Sequence, residues 1–372
     1  MSDVLPWHFG RRPDGTAWLS ARGVLDSLMG FTYLDMFCGG GGSSEGARLA
    51  GGTLVGAVDA WDIASQTLSD NFSCDAIRTW RMYPNSKPLS TFPKHVDMLL
   101  ASPECTNHSP AKGSALRCED SKNTANYVLN YARGLNPRWL VIENVIQMQN
   151  WAGYGPLFAG LEHLGYNVEA QVLNAADFGV PQSRKRLFMM CDKKQQPKRL
   201  VAPEENCRRP ARDIVQLDGP WASTVLDNGR RAEATLARFH RGVAALGRNI
   251  PFLIVYYGSD GAGGWQSLDK PIRTVTTVDR FGLVTWKGGV AHLRMLQVDE
   301  LKAAMGFRLD YKLGRGNRRD RIRLLGNGVC PPMMRSVIES LRSPESVVQN
   351  VKSVLPDRYN RRSDPCTVPM YA

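Results

Sequence analysis

The feature that most constrains this chain is an apolar segment that leads directly into a run of four glycines. Residues 31–37 are apolar and rich in β-formers, Cys38 and the glycines at 39–42 follow, and residues 45–50 have a helical composition. Glycine lets the backbone turn sharply and approach a ligand, and the amides at the start of the next helix attract anions. The pattern predicts a strand, a turn and a helix, with a ligand at the turn.

Three further apolar segments, residues 53–58, 96–101 and 139–142, also end in polar residues or in a turn. Asp59 follows the first of them and Glu143 follows the last. Strands that alternate with helical segments predict the α/β class, with a doubly wound, mostly parallel sheet. Ligands of such sheets bind beyond the carboxyl ends of the strands, so we expect these polar ends to face one crevice.

Regularity decreases after a predicted strand at residues 186–190. Residues 192–220 are rich in Lys, Arg, Gln and Pro, and β-like runs follow at 250–257 and 272–278. These features indicate a second, smaller domain that is loop-rich and contains β-structure. Helical spacing returns at residues 298–305 and 332–341. The predicted division is an N-terminal extension at 1–30, the sheet domain at 31–191 plus 318–345, the smaller domain at 192–293, a hinge connection at 294–317 and a C-terminal tail at 346–372.

Charge points to a polyanionic partner. The net charge is +12, and residues 192–293 carry 16 Lys and Arg against 10 Asp and Glu. Basic side chains that bind phosphates release counterions, although a solvated basic surface explains any single arginine equally well. No stretch approaches the roughly 18 apolar residues of a membrane span, and the N-terminus lacks the apolar run of a signal peptide. We therefore expect a cytoplasmic or nucleoid-associated protein.

The eight cysteines form no CxxC pair, so neither a zinc knuckle nor a disulfide framework is expected. A lone cysteine is usually a small buried hydrophobe. Cys105 differs because it follows a predicted strand and Pro103, which places its sulfur at the mouth of the crevice. Such a thiol becomes a nucleophile where nearby donors favour the thiolate. The following Ser109 and Lys112 either contact phosphates or belong to a plain surface loop.

Several charged residues have two interpretations. Asp59 either accepts both hydroxyls of a ribose or caps a helix. Glu143 either binds a substrate or is a structural acid paired with Arg184 or Arg186. The two arginines would lie on one side of an extended chain and hold a substrate, a phosphate or a structural partner.

Taken in order, these segments resemble the DNA (cytosine-5)-methyltransferase family over residues 31–341. Residues 35–42 are similar to its first motif, and Pro103 with Cys105 corresponds to its Pro-Cys nucleophile motif. The sequence Glu-Asn-Val at 143–145 matches another motif letter for letter, and residues 182–186 fit Gln-x-Arg-x-Arg. The remaining matches are Asp59 as a ribose-binding acid, Trp61 as an adenine-packing aromatic residue, Arg294-Met295-Leu296 with Glu300, and Gly326-Asn327-Gly328-Val329 as the last motif.

The resemblance implies a Rossmann-like methyltransferase domain, a target-recognition domain at 192–293, and S-adenosylmethionine as cofactor, with S-adenosylhomocysteine as product. The implied catalytic residues are Cys105, Glu143, Arg184 and Arg186. The implied cofactor-binding residues are Asp35, Phe37, Cys38, Gly39, Gly41, Asp59, Trp61, Pro103, Asn327 and Val329. The implied DNA contacts are Ser109, Lys112 and Gln182.

The implied reaction takes place on a cytosine rotated out of the duplex. Cys105 adds to C6 while Glu143 and Arg186 hold the ring, and C5 receives the methyl group. The expected partner is double-stranded DNA, with no membrane and no metal, and the chain is expected to be monomeric. Whether a restriction enzyme is encoded with it stays open.

Departures from the family pattern leave alternatives. Glu104 and Thr106 replace the usual proline and glutamine around Cys105, while Gly328 and Cys330 alter the last motif. A carboxylate beside the thiol raises its pKa unless it points away or binds a cation. The alternatives are an RNA cytosine-5 methyltransferase, a catalytically silent DNA-binding protein of the same fold and, on the glycine turn alone, a nicotinamide-dependent oxidoreductase.

Overall fold

A seven-stranded sheet forms the centre of the computed structural model, which describes residues 30–83, 85–103, 124–201, 208–227, 229–257 and 260–343. Its strands in chain order are β1 (Phe31–Met36), β2 (Gly52–Asp59), β3 (Ile77–Thr79), β4 (Met98–Ala101), β5 (Trp139–Asn144), β6 (Asn167–Asn174) and β8 (Lys185–Asp192), and the short β7 (Gln182–Ser183) lies outside it. The spatial order is β3-β2-β1-β4-β5-β8-β6.

Pairing within β1–β5 is parallel throughout, whereas β8 runs antiparallel to both β5 and β6. The predicted doubly wound, mostly parallel sheet is therefore confirmed. The strand order reverses between β1 and β4, which are adjacent in space although β2 and β3 separate them in the chain. Ligands of doubly wound sheets bind at such a switch point.

Helices cover both faces of this sheet. The α-helices in the described ranges are α1 (Gly42–Leu49), α2 (Asp62–Ser69), α3 (Thr124–Leu135), α4 (Tyr154–His163), α5 (Glu233–Leu246), α6 (Val298–Ala304), α7 (Arg318–Asn327) and α8 (Pro331–Arg342). Among them, α5 packs on a second sheet instead. Side chains of β1 alternate between the faces. Tyr33 joins the core cluster that includes Met333 of α8, and Leu34 joins the cluster that includes Tyr131 of α3 and Leu161 of α4.

A second, antiparallel sheet is built from the later part of the chain. It contains β9 (Thr224–Val225), β10 (Phe252–Val255), β11 (Trp265–Ser267), β13 (Phe281–Lys287) and β14 (Val290–Met295), in the order β11-β10-β13-β14-β9. Phe239 of α5 stacks on Phe252 with ring centroids 6.3 Å apart. This sheet is the smaller β-containing unit that the sequence predicts.

One short strand joins the two parts of the molecule. β12 (Ile272–Arg273) pairs in parallel with β7. The predicted β-run at 272–278 is strand only at these two residues. The next two turn toward β7, where the Thr274 hydroxyl donates to the Ser183 carbonyl and the Val275 amide donates to Gln182 Oε1, each at 2.8 Å.

A buried ion pair fixes the end of β14 to α6. Arg294 donates to both carboxylate oxygens of Glu300 at 2.7 and 2.8 Å. The amides of Gln216 and Gln297 donate to the same carboxylate at 2.9 and 2.7 Å. Residues 294–317, predicted to be a hinge, therefore begin inside the second sheet and continue into a helix with a buried ionic anchor.

Candidate active site

Residues that end or follow four parallel strands meet at the carboxyl edge of the large sheet, and three of them are polar. Phe37 follows β1, Asp59 ends β2, Ser102 follows β4 and Glu143 lies at the end of β5. Because β8 is antiparallel to β5, its first residues lie at this same edge, where Asn144 of β5 pairs with Leu187. The structure thus brings Arg186 of β8 beside Glu143.

The glycine turn after β1 is shaped by close contacts. Phe37 has a φ of 58°, and its amide donates to the Val58 carbonyl at 2.8 Å. Gly41 has a φ of 81°, and a Cβ placed there would collide with the Tyr311 hydroxyl. A Cβ at Gly42 would collide with the Val329 carbonyl. The first and last motifs therefore touch, and this contact requires glycine.

Asp59 fastens the turn to the second strand. Its Oδ2 accepts the Gly39 amide at 2.8 Å, and its Oδ1 accepts the Trp61 amide at 2.8 Å. The structure therefore places Asp59 where both interpretations apply: it holds the chain just before α2, and it lies at the crevice.

Asp35 lies between β1 and α1 with no exposed surface. Ser44 donates its hydroxyl to Asp35 Oδ2 at 2.6 Å, whereas Oδ1 has no hydrogen-bond partner within the described ranges. Burial, together with the nearby Asp59, raises the pKa of Asp35 to about 7, although the Ser44 bonds oppose this rise. A buried acceptor without a partner is costly, so this oxygen suits a proton or a ligand that donates a hydrogen bond.

The far side of the crevice is formed by Trp61 and α7. The guanidinium of Arg323 lies 4.6 Å from the centre of the Trp61 ring. Arg323 and Asn327 are four residues apart on α7, so they share a helix face, and both are exposed. Val329 is buried beyond the helix end. The predicted cofactor residues Trp61, Asn327 and Val329 therefore border the same region.

Glu143 is a buried carboxylate with one ionic partner in contact. It is 5% exposed, and its Oε1 lies 3.2 Å from Arg186 Nε. Burial raises the pKa of Glu143, while Arg186, Arg184 and a hydrogen bond from Ser102 oppose the rise. The protonated form consequently persists to higher pH than in an exposed glutamate, which allows the carboxyl group to donate a hydrogen bond.

Arg184 and Gln182 point into the protein. The Arg184 guanidinium donates to the carbonyls of Val275, Gly326 and Gly328 at 2.8–3.0 Å. Gln182 is fully buried and donates to the Ala304 carbonyl at 3.1 Å. Regular strand structure is interrupted at Arg184, between β7 and β8. The alternation of side chains along a strand therefore does not place Arg184 on the same side as Arg186.

These positions bear on two of the expected roles. Arg184 holds the backbone on both sides of Asn327, and its charge also opposes the rise that burial causes in the pKa of Glu143. Gln182 ties Ala304 to Val275, whose amide binds its Oε1. Both side chains bind backbone atoms in the core, while a catalytic role of Arg184 and a DNA contact of Gln182 stay predictions.

The segment that leads to the predicted nucleophile is held in place by β1 and β5. The Ser102 amide donates to the Met36 carbonyl at 3.2 Å, and Asn144 Nδ2 donates to the Pro103 carbonyl at 3.2 Å. Cys105, Ser109 and Lys112 lie outside the described residues, as does Glu104. Cys38 belongs to the turn and is buried.

Some residues of this edge have no counterpart in the sequence predictions. Asn144 belongs to a recognised motif, but the motif does not predict its hydrogen bond to the Pro103 carbonyl, which depends on the folded structure. Tyr311 donates its hydroxyl to the Gly40 carbonyl at 2.9 Å from a distant part of the chain, and its spacing contains no signal of this contact.

The fold and the edge together define an α/β enzyme class that binds its cofactor at the switch point of a doubly wound sheet. The chain belongs to the C-5 cytosine-specific DNA methylase family, whose model matches residues 31–343. The resemblance stated from the motifs is thereby confirmed.

Two curated relatives illustrate the match. The chain is 31% identical to the type II methyltransferase M.AgeI of Thalassovita gelatinovora over 166 residues, which cover 42% of this chain and 38% of that protein. It is 30% identical over 171 residues to the type II methyltransferase M.MthTI of Methanothermobacter thermautotrophicus, with 44% and 49% covered. The chain thus spans less than half the length of these two relatives.

Solved structures show the same fold. The Dnmt2 methyltransferase of S. pombe superimposes with a TM-score of 0.60 at 18% identity, covering 85% of this chain and 100% of that one. The Entamoeba histolytica methyltransferase EhMeth gives a TM-score of 0.55 at 15% identity, with 84% and 98% covered. Within the described ranges, no helix is long and apolar enough to cross a membrane, and no group of three or more His, Cys, Asp or Glu is placed to hold a metal.

Proposed function

We propose that this chain transfers a methyl group to C5 of a flipped-out cytosine in duplex DNA, through a covalent bond between Cys105 and C6. The single observation that carries the proposal is the buried Glu143–Arg186 pair, which stands beside the Pro103 segment at the switch-point edge. Family membership supports the reaction class.

The proposed cofactor is S-adenosylmethionine, which supplies the methyl group on a sulfonium when it is bound. The residues present fit such a group, because Asp35 at the glycine turn keeps a buried acceptor without a partner among the described residues. Asp59 would accept from a ribose, and Trp61 would pack on an adenine. Asn327 would close the pocket from the end of α7.

The chain's own residues divide the work on the cytosine. Glu143, in its protonated form, donates a hydrogen bond to N3. This bond draws electron density toward N3 and makes C6 more electrophilic as the Cys105 thiolate adds to it. Arg186 keeps the Glu143 carboxyl group in place and would bind O2 of the same ring. After C5 has gained the methyl group, a base or water removes the C5 proton, the C5=C6 bond is restored and the thiolate leaves.

Arg184 acts in this proposal as a positioning residue. Its guanidinium binds the carbonyls of Gly326 and Gly328, on both sides of Asn327, and the carbonyl of Val275 next to β12. It therefore connects the last cofactor motif to the strand that joins the two sheets. A lysine cannot replace it, because one ammonium group does not reproduce the planar fork of donors.

We further propose that the second sheet, with the basic segment at 192–293 around it, recognises the DNA target. Its strands run to Met295, so the module includes all of β14. Excess positive charge supports contacts with phosphates, and Ser109 and Lys112 would add contacts from the nucleophile segment. Action as a monomer, and the presence of a co-encoded restriction enzyme, stay predictions.

The proposal is tested by trapping. Duplex DNA that contains 5-fluorocytosine should form a covalent complex with the wild-type chain in the presence of S-adenosylmethionine, because fluorine cannot be removed as a proton. Cys105→Ser should form no complex and transfer no methyl group to unmodified DNA, yet bind S-adenosylhomocysteine with an affinity within threefold of wild type. Cys74→Ser, a half-buried cysteine remote from the crevice, is the matched control and should react normally.

The same assay separates the alternatives. A wild-type chain that binds duplex DNA but forms no adduct would support the catalytically silent protein, for which Glu104 is the main argument. An adduct with fluorocytosine RNA and none with duplex DNA would support the RNA methyltransferase. An active Cys105→Ser variant would contradict the covalent mechanism.

A further inference from the structure

A cavity of about 210 Å³ lies behind the active-site edge, between α8, the segment after β6 and the loop after α6. None of the residues proposed above to bind cofactor, cytosine or DNA lines it. Phe178, Pro181, Ile214 and Phe307 form apolar parts of its wall. The cavity is therefore distinct from the crevice at the switch point.

The charged part of the wall is strongly unbalanced. Three arginines, Arg209, Arg308 and Arg335, face one carboxylate, Glu339. Each arginine has an acidic partner: Arg209 contacts Asp213 at 3.0 Å, Arg308 contacts Glu45 and Asp310 at 3.2 Å, and Arg335 contacts Glu339 at 2.7 Å. Only Glu339 among these acids lines the cavity, so the wall itself presents three guanidinium groups and one carboxylate.

Intermediate exposure makes these arginines suitable for binding. Their side chains are 26%, 28% and 37% exposed, so they are neither sealed in the core nor freely solvated. Ion pairs through Nε hold Arg209 against Asp213 and Arg335 against Glu339, which restricts their rotamers before any ligand arrives. Pre-ordered guanidinium groups lose less entropy when they bind an anion.

We propose that this cavity binds a small organic anion that has an apolar body, such as a single ring or short chain carrying a phosphate or carboxylate. The apolar wall accommodates the body, and the arginines bind the anionic group through charge-assisted hydrogen bonds. The volume is below the range of drug-sized pockets, which limits the ligand to a compact molecule.

The cavity lies next to the elements that support the active site. Pro181 precedes Gln182, while Ala303 and Gly306 flank Ala304 and Met305, which accept the Gln182 amide. The wall therefore adjoins the residues that hold Val275 near Arg184, but it does not include them.

Phenyl phosphate, inorganic phosphate and phenol are the probes, with isothermal titration calorimetry on the full chain as the measurement. Phenyl phosphate should bind with 1:1 stoichiometry and at least tenfold more tightly than either of the other two. Saturating S-adenosylhomocysteine should change its Kd by less than threefold. These measurements do not depend on methyl transfer, so their failure and that of the proposed function are distinguishable.

Leu309 supplies a matched pair of variants, because it lines the cavity while 55% exposed. Leu309→Asp should weaken phenyl phosphate binding at least tenfold, because the new carboxylate repels the anionic group. Leu309→Asn, whose side chain has nearly the same shape as Asp but no charge, should weaken it less than threefold. Arg241→Gln, which removes a charge on α5 away from the cavity, should leave the Kd unchanged. No binding of phenyl phosphate, equal effects of the two Leu309 variants, or displacement by S-adenosylhomocysteine would each overturn the proposal.

Discussion

Glu143 and Glu300 are both buried glutamates that face an arginine, yet their surroundings differ in one respect. Glu300 is 1% exposed and accepts two bonds from Arg294 and two more from backbone amides. Glu143 is 5% exposed and meets its arginine through one Nε contact at 3.2 Å. The first carboxylate is fully compensated by the protein, whereas the second keeps capacity for another partner.

This difference separates a structural anchor from a reactive group. A buried charge is tolerated when hydrogen bonds satisfy it, and removing one partner then leaves the other uncompensated. A buried acid that lacks such compensation has a raised pKa and is suited to exchange a proton or a hydrogen bond with a substrate. The same Glu→Gln substitution should therefore have opposite consequences at the two positions.

Glu300→Gln should produce the largest effect, a loss of about 3–5 kcal/mol in the free energy of unfolding, because Arg294 stays buried without its counter-charge. Urea denaturation followed by circular dichroism measures this loss. The methyl-transfer rate per folded molecule should stay within threefold of wild type. A loss below 1 kcal/mol would show that Glu300 is not the anchor described.

Asp35→Asn should remove a pH dependence of stability. The folded-state pKa of Asp35 is about 7 against 3.8 in the reference state, so the folded chain holds this proton more tightly. Its contribution is favourable below pH 4 and declines as the pH rises to 7, by about 4 kcal/mol at most. The difference in unfolding free energy between wild type and Asp35→Asn, measured from pH 4 to 8, should follow this decline. A pH-independent difference would contradict the raised pKa.

Glu143→Gln should lower kcat at least about 100-fold, equivalent to about 2.7 kcal/mol of transition-state stabilisation. Its free energy of unfolding should fall by less than that of Glu300→Gln, because the Arg186 side chain is 13% exposed, against 5% for Arg294, and keeps more contact with water. Single-turnover transfer to a duplex substrate gives the rate, and denaturation gives the stability. If the variant is normally active but destabilised, Glu143 and Glu300 belong to the same structural type.

Arg323→Ala should have the smallest effect, a loss of about 0.5–1 kcal/mol in the ligand-free chain, as expected for a cation–π contact at an accessible site. Thermal or urea unfolding measures it, and Arg319→Ala, which removes another exposed arginine of α7, is the control. If the two variants are equally stable, the stacking of Arg323 on Trp61 contributes nothing to this wall of the crevice.

Burial explains which strands could be predicted. β4 and β5 are buried on both faces, so they are continuous apolar runs in the sequence. β6 is a partly exposed edge strand with polar residues, and it gives no such signal. An apolar run has no direction, so the antiparallel course of β8 was not predictable from residues 186–190. The amphipathic α5 lay in a region without other clear pattern and was not predicted either.

The candidate site also contains features that the sequence predicts and features that it does not. Asp59 and Glu143 stand at strand ends, and the motif order identified Pro103 and Asn327 as residues of the same crevice. Side-chain direction was less predictable, because a break of one residue between β7 and β8 sends Arg184 inward and leaves Arg186 at the edge. Contacts across long sequence separations, such as that of Tyr311 with Gly40, depend on the assembled fold.

The pairing of β7 with β12 sets a rule for building chimaeras. Ile272–Arg273 lie inside the segment that would be exchanged to alter target choice, yet they pair with Gln182–Ser183 of the catalytic part, and Val275 supplies a carbonyl to Arg184. A graft that replaces the whole segment of the second sheet also removes the pairing between β7 and β12 and the hydrogen bond from Arg184 to Val275. Two separate pieces, one on either side of residues 272–275, should therefore be exchanged. The chimaera can then take the target specificity of the donor, while the recipient keeps its own pairing between β7 and β12.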